Sequence, residues 1–363
     1  MPLGIVRLLD TNLAQLAATI ISASSQDPGF LVTKLRDQSL GATYRSLLGW
    51  TVVAGFNDKI DFNRGGVKVA TITPGNYPTA TLYAAAVVAA LTAADANTWT
   101  CTYSATTFKF TIGGAAAFTL LFSTGTNVAT SAHLDLGYTS TDKGSATSQV
   151  AENVAYQSRH YLLFDLGSAL AVTAGVLRNH NSGTGGTYTL YGKSSNNPWV
   201  TPGAGPTTLA GDADIRLAYF GSSSMRYWAI VINDVQNSLG YAEVGIAAPF
   251  TYRQPSFCIS VNFDEQQDDR SALGFALSGA SYQTRRQRQR GWSVEWAEMP
   301  LADQVILDAW GLASPRGSCF FFSFDAVDNP SNTVYCFRDS ALSKRFVPAV
   351  YYTYQAHLTE AVP

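Results

Sequence analysis

The sequence predicts a mainly β protein built from antiparallel, sandwich-like parts with small α+β additions. Three observations carry this. Only 14% of residues are Asp, Glu, Lys or Arg, against roughly a quarter in ordinary soluble domains. Their place is taken by Thr, Ser, Ala and Gly together with 18 Tyr, 19 Phe and 7 Trp, types that suit pleated strands and the turns between them. Short apolar/polar alternations bounded by Gly, Asn and Ser recur along most of the chain. At 363 residues the chain exceeds what one core usually fills, so two or three domains are expected.

The first segment, "MPLGIVRLLDTNL", carries Arg7 and Asp10 inside its apolar run and lacks a cleavage-type signal. "DKIDFNRGGVKVATITPGNY" alternates around Gly65-Gly66, with Ile60 and Phe62 before the turn and Val67 and Val69 after it. That is a hairpin. Pro78-Thr79 then opens a helix whose Leu82, Tyr83, Ala86, Val87, Ala90 and Leu91 form one apolar face. This stretch is too short to span a bilayer, so no membrane insertion is expected. "TWTCTYSATTFKFTIGG" reads as a second hairpin, followed by "AFTLLFSTG". "TSTDKGSATSQVAEN" has the composition of an exit linker.

Between residues 159 and 250 the strand candidates are "HYLLFDLG", "VTAGVLRN", "TYTLYGK", "DIRLAYF", "RYWAIVIND" and "YAEVGIA". Strands at this spacing predict an antiparallel sandwich or jelly roll. Beyond Pro255, "SFCISVNF" and "RQRQRGWSVEWAEM" read as strands. Pro300 begins a helix with Leu301, Val305, Ile306, Ala309 and Trp310 on one face. "SCFFFSFDA", "NTVYCFRD" and "AVYYTYQAHLTEA" complete an α+β unit.

Several chemistries find no footing. Cys101, Cys258, Cys319 and Cys336 lie far apart without C-x-x-C spacing, so reduced, buried thiols are expected. His133, His160, His180 and His357 are scattered, and no loop carries a specific metal-ligand pattern. Asp165, His180 and a serine supply the parts of a triad, yet no strand–turn–helix elbow presents a nucleophile. "NSGTGGT" and "TIGGAAA" lack a P-loop ending and are turns. No catalytic residue, metal or cofactor is assigned. The formal charge of −2 offers no general attraction for nucleic acid.

Two polar clusters stand out. "TRRQRQRG" places Arg286, Arg288 and Arg290 on one face of a strand and Arg285 on the other. Upstream "FDEQQDDR" supplies Asp264, Glu265, Asp268 and Asp269. These runs are a candidate oligomer interface; a solvated edge, pairing within one chain and a phosphate-tracking stripe are the other readings. The second cluster is Arg178-Asn179-His180-Asn181, followed by a glycine-rich turn and Trp199. It reads as a strand corner whose Asn side chains bond turn backbone, with Asn179, His180, Asn181 and Trp199 as a candidate contact loop.

Asp165-Leu166-Gly167, His180-Asn181, Leu190-Tyr191-Gly192, Trp199 and Arg226-Tyr227-Trp228 together resemble the discoidin-like jelly rolls of bacteriophage tail proteins. "SASSQDPGFLVTKLRDQSLGATYRS" resembles the first segment of that module. From "SVNFDEQQDDRSALGFALSG" through "WSVEWAEMPLADQVILDAW" to "GSCFFFSFD" the chain resembles the ring-forming part of phage distal-tail proteins. The resemblance covers roughly two-thirds of the chain and implies three domains: 1–50 with 156–250 as a discontinuous jelly roll, 51–155 as an inserted α+β lobe, and 251–363 as a ring-forming, β-barrel-like unit with one helix. Insertion of a folded unit in a surface loop adds little closure entropy. The implied role is structural and non-enzymatic: a cyclic homo-oligomer, hexameric by resemblance, joining tail tube to tail-tip hub in the virion after assembly in the host cytoplasm. A carbohydrate-binding host-recognition adhesin, contacting a surface glycan, is the alternative. A glycan hydrolase would need paired carboxylates across a cleft, and no such pair can be placed from sequence.

Overall fold

The structure is a computed structural model that describes residues 6–36, 41, 43–181, 186–195, 204–211, 214–256, 264–268, 272–275, 281–284, 289–327, 332–347 and 351–362. Among the described residues the chain is mainly β, with two α-helices. One 15-stranded sheet has the backbone order 204–208, 187–193, 215–233, 160–180, 243–253, 7–12, 319–323, 333–338, 351–360, 289–299 and 264–268, with four short strands joined at its sides. Three hydrophobic cores lie along the chain.

The first core belongs to the sandwich. "HYLLFDLG" and "VTAGVLRN" are halves of a single strand, His160–His180. Likewise "DIRLAYF" and "RYWAIVIND" fuse into Ile215–Asn233. Their mutual register shifts between Asp165 and Leu170 and again between Val172 and Ala174. Gly167, at a φ of 76°, sits in the first shift, where the irregular backbone lets a long strand bend. Ile20–Ala23 pairs with the half before this point, and Glu243–Arg253 with the half after it. Alternate side chains (Leu162, Phe164, Leu166, then Val172, Ala174, Val176) enter the core beside Trp228, Ile230 and Ile232.

The strand Arg7–Asn12 welds the sandwich to the C-terminal unit. It pairs with 243–253 on one side and with Cys319–Ser323 on the other. Period-2 alternation sends its side chains two ways. Leu9 enters the first core and Leu8 the third. Phe321 and Tyr335 face the sandwich in the same manner, while Phe320, Phe322 and Cys336 face the third core.

The second core fills the inserted lobe. Lys59–Asn63 and Val67–Thr71 form the expected hairpin, and Trp99–Tyr103 pairs with Phe110–Leu120. The stretch read as an exit linker is a strand, Lys143–Val150, paired with 110–120. Its Ser/Thr-rich outer face resembles linker composition, but an open sheet edge supplies the backbone partners that make it a strand. Helix α1, Ala80–Ala94, starts where Thr79 Oγ1 accepts from Leu82 N at 3.3 Å. Tyr83, Val87, Ala90 and Leu91 are buried as expected, but Leu82 is 51% exposed and Ala84 turns inward instead.

Helix α2, Leu301–Ala313, begins after Pro300. Its buried face is Asp303, Leu307 and Trp310, whereas Leu301 and Val305, expected inside, are 57% and 64% exposed. Trp310 sets the rotation: its ring meets Trp296 and Phe320 edge-on at 5.9 and 5.4 Å, under the Arg338 guanidinium. Satisfying that large ring turns Leu301 and Val305 outward.

A buried polar joint fixes the lobe to the sandwich. Arg159 donates to Asp135 through its backbone N–H at 2.7 Å, Nε at 3.1 Å and Nη2 at 3.2 Å, and to Ser131 O at 2.7 Å. Trp50 Nε1 donates to Asp135 O at 3.0 Å.

Candidate functional site

The 178–181 corner is occupied by the fold. Arg178 is buried, lies 4.6 Å over the Tyr335 ring and donates to Ala361 O at 3.1 Å. It therefore ties the sandwich to the last strand. Asn179 takes the left-handed conformation, φ 51°, opposite Gly245, where a Cβ would lie 2.9 Å from that of Asn179. His180 packs on Tyr188 at 5.2 Å. The groups of Asn181 bond locally: N–H to Glu243 O, Nδ2 to Tyr241 O, Oδ1 from Glu243 N and O from Asn237 Nδ2. Trp199 lies outside the described residues.

The other quoted jelly-roll residues meet near the strand bend. Arg226 forms a fork on Asp165 at 2.7 and 2.9 Å. A Cβ on Gly192 would come within 3.0 Å of the Trp228 indole, so that ring occupies the space a side chain would need. Asp165 is thus committed to Arg226, far from His180 at the end of the same strand.

Of the arginine stripe, Arg290 is described and is held by Glu360, with Nη2 to Oε1 at 2.7 Å. The acidic strand Asp264–Asp268 runs beside Gln289–Met299 within the same chain, placing Glu265 opposite Trp292 and Gln267 opposite Arg290. Arg285, Arg286, Arg288 and Asp269 lie outside the described residues, as does Cys258; Asp264 and Asp268 are described in backbone register alone.

Sequence reasoning missed a cleft on the outer face of the C-terminal unit. In the strands 289–299 and Tyr351–Glu360, Trp292, Trp296, Tyr354 and Leu358 fill the third core. The intervening residues face outward, and the register sets Ser293 opposite His357 and Glu295 opposite Gln355. Ser340, Ala341 and Ser343 wall this four-residue patch, and the backbone at Val294 and Ala356, whose side chains enter the third core, contributes to the floor. The cleft has a volume of about 440 Å³. His357 is held from behind: Nδ1 is 2.6 Å from Asp339 Oδ2, which also accepts from Thr359 Oγ1 at 2.6 Å, and its backbone N–H donates to Ser340 Oγ at 3.2 Å. Gln355 Nε2 donates to Glu295 Oε2 at 3.2 Å.

No protein-family model matches the sequence, and no curated protein matches it. Among solved structures, the family 32 carbohydrate-binding module of Clostridium perfringens NanJ, in complex with galactose, is similar over 66% of this chain and 98% of its own. The identity there is 11% and the TM-score 0.29. A second family 32 module of Clostridium perfringens, in complex with GalNAc-β-1,3-galactose, is similar over 26% of this chain and 66% of its own, at 13% identity and a TM-score of 0.20. The tail resemblance rests on the quoted motifs alone.

Among the described residues no group of three or more His, Cys, Asp or Glu is placed to hold a metal ion, and no helix is long and apolar enough to cross a membrane. The signal that points to the cleft is the outward polar phase of two strands, Ser293/Glu295 and Gln355/His357. Their apposition depends on register, which no local pattern states.

Proposed function

We propose that the chain is a non-catalytic carbohydrate-binding protein of the adhesin type, with its sugar site in the cleft between residues 293–295, 340–343 and 355–357. One observation carries the reading. Hydroxyl, amide, carboxylate and imidazole groups converge in a cleft of about 440 Å³ whose floor is the strand backbone at Val294 and Ala356 and whose wall includes Ala341. A pyranose carries hydroxyls around its rim that such groups can bond, and small-ligand sites are concave surfaces with a few placed polar groups. In this reading the sandwich (1–50 with 156–250), the lobe (51–155) and the C-terminal unit (251–363) are three domains of one scaffold. The test is a glycan array followed by calorimetry on the intact chain. Retention of no saccharide at millimolar concentration sinks the proposal.

A second observation favours the structural reading, a self-associating phage-tail component. Leu312 at the end of α2 is 85% exposed, on the helix that also exposes Leu301 and Val305, and Phe346 is exposed on 343–347. Apolar side chains grouped in this way mark association surfaces. Light scattering decides it: a monomer at high concentration removes the ring.

A further inference from the structure

We infer that the cleft selects an uncharged saccharide unit and turns away an acidic one; the inference rests on the sugar-binding reading. Among the described residues the cleft's lining is rich in acceptors and includes no Lys or Arg. Glu295 presents a carboxylate. The one amide donor beside it, Gln355 Nε2, is already turned to Glu295 Oε2. Asp339 sits behind His357 at 2.6 Å, and in the neutral ring this carboxylate takes the Nδ1 proton and leaves Nε2 as an acceptor. Gly291 keeps that edge open, since a Cβ there would lie 3.4 Å from Cε1 and 3.5 Å from Nε2 of His357. The remaining side-chain donors are the second N–H of Gln355 Nε2 and the hydroxyls of Ser293, Ser340 and Ser343, and the hydroxyls rotate and accept as readily as they donate.

Three cations of this unit are held elsewhere. Lys344 is engaged with Asp308 at 2.9 Å, Arg290 with Glu360, and Arg338 with Ser314 O and Gly311 O. Arg345 stands two residues beyond Ser343 on the same strand face, opposite Thr353, outside the residues that line the cleft. A sugar hydroxyl can donate to Glu295 or to His357 Nε2 and accept from a serine. A uronic or sialic carboxylate can only accept, and it would face Glu295 without a compensating charge, which is how a site rejects a near-match.

The test titrates the intact chain with methyl galactoside, methyl glucoside, glucuronic acid and N-acetylneuraminic acid at neutral pH, followed by calorimetry and amide NMR. At least one neutral glycoside should bind, with both acids weaker by about tenfold or more. Glu295→Gln should narrow that ratio by about tenfold. Glu295→Ala and Gln355→Ala, both on the outer face and checked by unchanged melting, should each weaken the neutral sugar. Equal or tighter binding of either acid overturns the selectivity. If a sugar binds but neither alanine variant changes its affinity, the cleft is not the site, although the chain remains a sugar binder. Binding of no saccharide removes both readings.

Discussion

Lowering the pH should loosen the joint between lobe and sandwich, because two buried histidines there fold in their neutral form. His160 is almost wholly buried, with Nε2 at 3.3 Å from both Ser46 Oγ and Gln157 Oε1 and Nδ1 at 3.5 Å from Ser24 Oγ. Burial pulls its pKa from 6.5 down to about 4. His133 stacks on Phe122 at 5.3 Å with Nε2 2.9 Å from Ser140 Oγ. Burial first, then the charges of Arg159 and Lys143, bring it to about 4 as well. A folded pKa below the unfolded one means that the unfolded chain binds more protons across this window. Stability from these groups is therefore complete above pH 6.5 and is lost progressively as pH falls toward 4. Linkage puts the loss at about 2 kcal/mol per histidine by about pH 5 and about 3 kcal/mol each below pH 4. Ordinary carboxylates titrate mostly lower, so the upper half of the window isolates the histidines. Urea unfolding at about pH 7.5 and 5 should show wild type losing about 4 kcal/mol, and His160→Gln or His133→Gln about half of that. A wild type equally stable at both values, or variants with the full pH dependence, would refute the reasoning.

Gly192→Val should force the buried Trp228 ring, 3.0 Å from the new Cβ, to move, lowering the urea-derived unfolding free energy by about 1–3 kcal/mol; an unchanged midpoint argues against the packing described. Asp135→Ala leaves the Arg159 guanidinium buried without its counter-charge, at a cost of about 3–5 kcal/mol, seen as a lower melting temperature and faster proteolytic release of the lobe. Native Cys336 should not react with a thiol reagent, since it is fully buried, and Cys101, pushed up to about 12 by burial, should react slowly. Four free thiols should appear on denaturation without reductant, and fewer would contradict the expectation of reduced cysteines.

Much of the architecture was legible locally. The Arg64-Gly65-Gly66 turn states its own hairpin, because Gly65 and Gly66 both take positive φ. Thr79 states the start of α1. The strand segments between 160 and 250 were each legible, but not that four of them are two long strands. A glycine inside an alternating pattern reads equally as a turn or as a bulge, and only the shared partner 215–233, paired before and after the irregularity at Gly167, makes the two halves one strand.

Side-chain periodicity determined most of the strands and both helices, Lys143–Val150 excepted, and, for most strands, which phase is apolar. Tertiary structure alone decided what each phase meets. Leu8 and Leu9 are equally apolar, yet they enter different cores because successive side chains of 7–12 point to opposite faces of the sheet and a different core covers each face. Leu301 and Val305 belong to an apolar stripe, yet Trp310 claims the helix's buried side. Ser293 with Glu295 and Gln355 with His357 are two ordinary outward pairs, 60 positions apart between Glu295 and Gln355. Antiparallel register, fixed by the buried tryptophans on the opposite face, sets them against one another as a cleft, because a one-residue slip would send every side chain to the other face.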